Sequence, residues 1–234
     1  MVNTQMIRIC NFVVSLFLLS LLTQALAQDQ PVPIEQEPRH KLVHENDILR
    51  IFDTRIPVGD VTLFHTHSFD SAFVCIDGGE TQSEELGKTI QPRPPFKAGD
   101  AWYRPHATTP MTHRVSNLGQ TNVRVLDIEL RKPLMESEVA MAKLPKEFSP
   151  ILENDRVRVT RLTLKPGEKT SAHTLTRAAQ FVIVKASKAV FDLPRQRRLT
   201  DYDPGDYFLV PANAERFIGN FGDKIFEAVQ IEIK

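Results

Sequence analysis

The sequence predicts an all-β protein built as two tandem antiparallel jelly-roll barrels joined by a short helical linker. Three observations predict it: an internal repeat, period-two alternation within each copy, and Gly/Pro turn signals roughly every 8–12 residues. "HENDILRIFDTRIPVGDVTLFH" at 44–65 aligns with "LENDRVRVTRLTLKPGEKTSAH" at 152–173 at a constant offset of 108. Further on, "AGDAWYRP" (98–105) matches "PGDYFLVP" (204–211), and "VSNLG" (115–119) matches "IGNFG" (218–222). "DIEL" (127–130) matches "QIEI" (230–233). Segments such as "VRVTRLTLKPG" and "NVRVLDIEL" alternate apolar and polar residues, as half-buried strands do.

Along the chain, residues 1–27 read as a secretory signal peptide. Arg8 is followed by a short apolar run, Phe12–Leu22, and Ala25-Leu26-Ala27 closes it with small residues at the cleavage positions. The run is short for a membrane span, which takes about 20 residues, so export to a periplasm or the medium is expected, with no stable span after cleavage. Residues 28–40 read as an extended leader and 41–132 as the first barrel. Residues 133–150 form the linker, with a helix expected over "LMESEVAMAKL" at 134–144 between prolines, and 151–234 form the second barrel.

The chain has 29 basic and 29 acidic residues, and cleavage would remove only Arg8 among them. Such a balance exerts no long-range pull on nucleic acid or acidic membranes, so a nucleic-acid partner is not expected. Only Cys75 follows the signal segment, which leaves no intrachain disulfide. It lies in the apolar "FVCI" and reads as a small core residue. The chain contains no phosphate-binding Gly-rich loop, nucleophile elbow or zinc-type CxxC.

The chemistry-bearing stretch is His65-Thr66-His67. On a strand Val61, Leu63, His65 and His67 share one face, and the two histidine Cα atoms lie about 7 Å apart. Both rings then reach one ion, and neutral imidazole ligates zinc, copper, iron and nickel well. His113 is the first candidate for a third ligand and His106 the second. Three histidines leave coordination positions open, as a catalytic site requires. Taken alone, the pair also fits an exposed strand end.

These residues resemble the cupin superfamily, and the duplication resembles a bicupin. The first cupin motif, G-x5-HxH-x3,4-E-x6-G, is matched by Gly59, His65, His67 and Gly78 or Gly79. The second, G-x5-PxG-x2-H-x3-N, is matched by Gly99, Pro105, His113 and Asn117, with three extra residues before His113. The resemblance implies a metal site of His65, His67 and His113 holding one divalent transition metal (Fe, Mn, Zn, Ni or Cu). The motif's glutamate position falls on Ser71 or Ala72, so the usual carboxylate is missing, and Asp70 replaces it only if the turn shifts. Without it the site resembles the three-histidine iron sites of thiol dioxygenases in this superfamily.

The second copy departs further. His173 remains, Leu175 takes the His67 position, Gln180 the glutamate position and Arg216 the motif histidine position. Arg216 with Lys169 or His173 would suit a carboxylate or phosphate; the plainer reading is a degenerate barrel kept for packing and dimerisation.

The resemblance implies a metal-dependent enzyme of dioxygenase, decarboxylase or isomerase type acting on a small organic molecule. His106, Tyr103 and Asp70 are its candidate acid–base groups and Trp102 a pocket aromatic. The alternative is a non-catalytic ligand-binding or scaffold bicupin. Cupin barrels commonly pair, so either a homodimer or pairing of the two copies is expected.

Overall fold

The computed structural model describes residues 30–90, 92–131, 140–193, 196–213 and 215–234. The expected signal peptide lies outside them. The first half contributes β1 (Val32–Pro33), β2 (His40–Glu45), β3 (Leu49–Ile56), β4 (His65–His67), β5 (Asp70–Asp77), β6 (Thr81–Glu85), β7 (Ala101–Arg104), β8 (Met111–Asn117) and β9 (Val123–Leu130). The second half contributes β10 (Phe148–Glu153), β11 (Val157–Leu164), β12 (His173–Thr174), β13 (Ala179–Lys185), β14 (Ser187–Leu193), β15 (Gln196–Tyr202), β16 (Tyr207–Val210), β17 (Glu215–Asn220) and β18 (Phe226–Ile233). Each half pairs a five-stranded with a four-stranded sheet. The orders are β2-β3-β9-β5-β7 with β1-β4-β8-β6, and β10-β11-β18-β13-β16 with β12-β17-β14-β15. The architecture is two jelly-roll barrels, antiparallel except where β1 runs parallel to β4.

The expected helix at 134–144 is a correction. Residues 134–139 lie outside the described residues, and 140–144 carry no helical structure. The expected leader is another: from residue 32 it supplies β1, a 3-10 turn at Ile34–Gln36, and His40, the first residue of β2. Among the described residues no helix is long and apolar enough to cross a membrane.

Alternation assigns the two faces of each five-stranded sheet. On β9, Leu126, Ile128 and Leu130 join Leu49, Ile51, Ala72, Val74 and Ile76 on the outer face. There they pack against Val157, Val159, Val182, Val184, Val229, Ile231 and Ile233 of the second barrel, all in one buried cluster. The two copies therefore pair with each other. Arg156 Nε donates to Asp70 Oδ2 at 2.9 Å across this joint, and Tyr207 Oη donates to the Val43 carbonyl at 2.9 Å. Gly99 and Gly205, both at positive φ (86° and 88°), sit where a side chain would strike the joint. A Cβ at Gly205 would come within 2.4 Å of the Arg124 guanidinium, which donates to the Pro204 carbonyl. Glycine meets both demands, a left-handed backbone and close approach.

Candidate metal centre

The inward face of the first barrel carries the candidate chemistry. β4 and β8 pair antiparallel with His65 directly opposite His113, so one face collects His65, His67 and His113. His65 Nε2 lies 3.2 Å from His67 Nε2, which lies 3.1 Å from His113 Nε2. Two of the three rings are hydrogen-bonded from behind. His65 Nδ1 donates to the Leu63 carbonyl at 2.9 Å; a carbonyl only accepts, so the proton is on Nδ1 and Nε2 is a bare lone pair. His113 Nδ1 is 2.9 Å from Ser83 Oγ. His67 Nδ1 lies 3.3 Å from Asp127 Oδ2, at ion-pair distance but without hydrogen-bond geometry.

His40 was not foreseen. Its ring centroid is 4.3 Å from that of His65, and its Nδ1 is bonded to Glu37 Oε2 at 2.6 Å. A ring nitrogen from each of His40, His65 and His67 lies within 4.8 Å of the others. Glu37 also accepts from the backbone N–H groups of Arg39 and Leu63, and its carboxyl is held below the usual range by His40 and these bonds, against the opposing effect of burial. Burial pushes His65 far below the ordinary histidine value, and the neighbouring histidines push it further; His113 is lowered the same way. Both are therefore neutral at neutral pH, the ligand form.

This donor set fits a divalent transition metal. Nitrogens about 2.1 Å from one ion at roughly 90–110° stand about 3.0–3.4 Å apart, the spacing found here. Two buried carboxylates complete the surroundings. Asp127 and Glu129 each place an oxygen within 4.8 Å of a His67 nitrogen. Arg50 neutralises Glu129 at 2.5 Å, while both Asp127 oxygens lack a hydrogen-bond partner. Burial, with Asp127 beside it, pushes the Glu129 carboxyl up to about 7. The carboxylates near His67 thus come from β9, and the one on His40 from Glu37, neither from the motif's glutamate position.

The other expected residues separate. His106 is buried, stacks on His67 with centroids 5.0 Å apart, and lines the cavity. Trp102 lines it too, stacked between Phe73 (5.1 Å) and Phe96 (4.6 Å). Asp70 and Tyr103 are corrections: they lie on the outer faces of β5 and β7. Asp70 holds Arg156 and the Ala107 N–H, and Tyr103 packs in the joint. Burial and the neighbouring Asp70 push the Tyr103 hydroxyl up to about 12. Gln180 is a third correction. On β13 it alternates with Ala179 and Phe181 of the second barrel's core and pairs with Ile231 on the joint side, so it does not face Arg216. His173 and Arg216 do meet, as direct partners across β12 and β17. Lys169 and Ser171 are exposed, and Ser171 meets His173 only through its backbone carbonyl.

The cavity beside the histidines measures about 600 Å³, the size of a small-molecule site. Thr54, Phe73, Phe96, Trp102 and Met111 form much of its wall, and Arg93 and Arg104 also line it. Arg93 lies 4.3 Å over the Phe96 ring and donates to Thr81 Oγ1. Among the described residues neither arginine has an acidic partner.

No family model matches the sequence, and no curated protein matches it. Solved structures do. AerE from Microcystis aeruginosa matches with a TM-score of 0.59 at 12% identity, over 85% of this chain and 98% of its own. Oxalate decarboxylase from Bacillus subtilis, solved at pH 4.6, matches with a TM-score of 0.58 at 13% identity, over 80% of this chain and 68% of its own. A cupin domain from Bordetella pertussis Tohama I is 26% identical over 40% of this chain and 98% of its own, with a TM-score of 0.35.

Proposed function

We propose that this chain is a bicupin-like member of the cupin superfamily and a metal-dependent enzyme acting on a small organic acid in the first barrel. The observation that carries the reading is that His67 Nε2 lies 3.2 Å from His65 Nε2 and 3.1 Å from His113 Nε2. Those three rings hold one divalent transition metal, with His40 as a fourth nitrogen at hand. The fold is shared with Bacillus subtilis oxalate decarboxylase, a protein with Mn(II) centres. When bound, such a metal supplies a Lewis-acid or redox centre with open coordination positions.

The remaining work falls to the chain. Leu63, Ser83 and Asp127 orient the ligand rings from behind. Phe73, Trp102 and Phe96 exclude water from one wall, and Arg93 and Arg104 receive the substrate's carboxylate. His106, lowered by burial below the ordinary histidine value, is neutral at pH 7 and is the acid–base group facing the cavity. The first 27 residues direct export.

Elemental mass spectrometry of the protein beside a His65→Ala/His67→Ala variant tests the centre. About one metal per chain, lost in the variant, supports it. No metal in either after anaerobic reconstitution refutes it and leaves a ligand-binding or scaffold bicupin.

A further inference from the structure

The second barrel repeats the first position by position, and its substitutions remove a carboxylate and add a cation: Gln230 stands for Asp127 and Arg216 for His113. In β4–β8 the facing pair is His65 and His113; in β12–β17 it is His173 and Arg216. The pair Arg50–Glu129 recurs as Arg158–Glu232, each at 2.5 Å. Asp127, opposite Phe52, becomes Gln230, opposite Thr160. Around His67 of the first barrel two carboxylates, Asp127 and Glu129, face one arginine, Arg50. In the second, Arg158 and Glu232 cancel and Arg216 leaves one excess positive charge. Leu175 and Phe148 stand at the His67 and His40 positions, so two of the nitrogen donors are gone.

Arg216 is only 2% exposed, and none of its Nε, Nη1 and Nη2 atoms has a hydrogen-bond partner in the protein. Burial lowers it to about 10, still a cation at neutral pH. A buried, unpaired guanidinium is costly, and a planar oxoanion accepting two parallel N–H bonds relieves that cost. His173 adds a second requirement. Its Nδ1 donates to the Ser171 carbonyl at 3.0 Å, so its buried Nε2, also unpartnered, is an acceptor. On β18 the Gln230 Oε1 acceptor, also turned away from the joint, is unpartnered too. A ligand complementary to these groups offers two anionic oxygens to Arg216 and a hydroxyl hydrogen to His173 or Gln230.

We propose that the interior of the second barrel is a metal-independent binding site for a small hydroxylated oxoanion of the 2-hydroxycarboxylate kind, held by Arg216 and His173. The site is separate from the metal centre and stands whether or not the first barrel is catalytic.

Calorimetric titration of the full chain with glycolate, acetate and inorganic phosphate at constant ionic strength, with thermal unfolding in parallel, tests it. The expected result is a saturable glycolate site that adds to any binding in the first barrel and persists in the His65→Ala/His67→Ala variant, with a midpoint that rises with glycolate. Acetate should bind about tenfold more weakly, the value of one hydrogen bond. Arg216→Gln should abolish the site. Gln230→Glu, which restores a carboxylate beside an intact Arg216, should abolish it as well while leaving metal content unchanged. A glycolate stoichiometry that does not fall by one in Gln230→Glu or Arg216→Gln overturns the assignment, as does no binding of any of the three probes. Equal affinity for acetate and glycolate overturns the role of His173.

Discussion

Replacing Asp127 with Asn separates what this carboxylate does for the fold from what it does for the metal. Asp127 is 1% exposed, and neither oxygen has a hydrogen bond. It also lies beside Glu129, whose carboxyl it helps to hold at about 7. A buried charge without hydrogen bonds costs on the order of 1–3 kcal/mol. Removing it relieves that cost and the repulsion on Glu129, so the metal-free variant should be more stable than the parent by about that amount. The metal should respond in the opposite direction. Asp127 faces His67 Nδ1 at 3.3 Å and orients the ring. Loss of such an outer partner typically weakens metal binding about 10–100-fold, or roughly 1.4–2.7 kcal/mol. Urea unfolding in chelator at pH 8 gives the first quantity, and competition with a chromophoric chelator gives the second. A metal-free variant destabilised by more than about 1 kcal/mol would show that the carboxylate is already well paired. Unchanged metal affinity would show that it does not orient His67.

Three further outcomes are expected. His65, His106, His113 and His173 are all lowered by burial from an ordinary value of 6.5. Below that pH the unfolded chain takes up protons that the folded chain refuses, so each removes up to about 1.4 kcal/mol of stability per pH unit. Glu129, raised from 4.5 to about 7, works the other way across that interval, and Glu232, also raised, does the same. Four groups outweigh two, so metal-free protein should lose stability from pH 6.5 to 5, read as a falling urea midpoint; a flat or rising midpoint contradicts the burial argument. Asn117 Nδ2 donates to the Ile56 and Thr121 carbonyls, and Asn220 Nδ2 to the Leu164 and Lys224 carbonyls. Alanine at either should cost a similar amount, about 2–4 kcal/mol by urea unfolding. Burial pushes the Cys75 thiol up to about 12, so alkylation at pH 8 should label it only after unfolding.

The fold was legible because repetition, strand alternation and turn residues pointed the same way. The centre was legible where short-range spacing carries it: His65 and His67 follow from a two-residue step, and His113 from the second motif. His40 was not legible, because nothing in "QEPRH" announces that β1 folds back parallel to β4 and carries the next strand's first residue inward. Asp127 and Glu129 were hidden for another reason. Both faces of β9 are buried, so "VRVLDIEL" does not say which face looks into the barrel. The residue sought as a ligand or base, Asp70, lies one step from Ser71, and one step on a strand is the difference between the cavity and the joint.

The joint gives each central strand two separable duties. On β18, Val229, Ile231 and Ile233 fasten one barrel to the other, while Gln230 and Glu232, interleaved among them, furnish a chamber. A change at an odd-numbered position is felt by both halves; one at an even-numbered position stays inside its own. Either interior can therefore change its polar residues while the seam stays shut, which is how two rooms of one plan come to differ at Asp127 and Gln230.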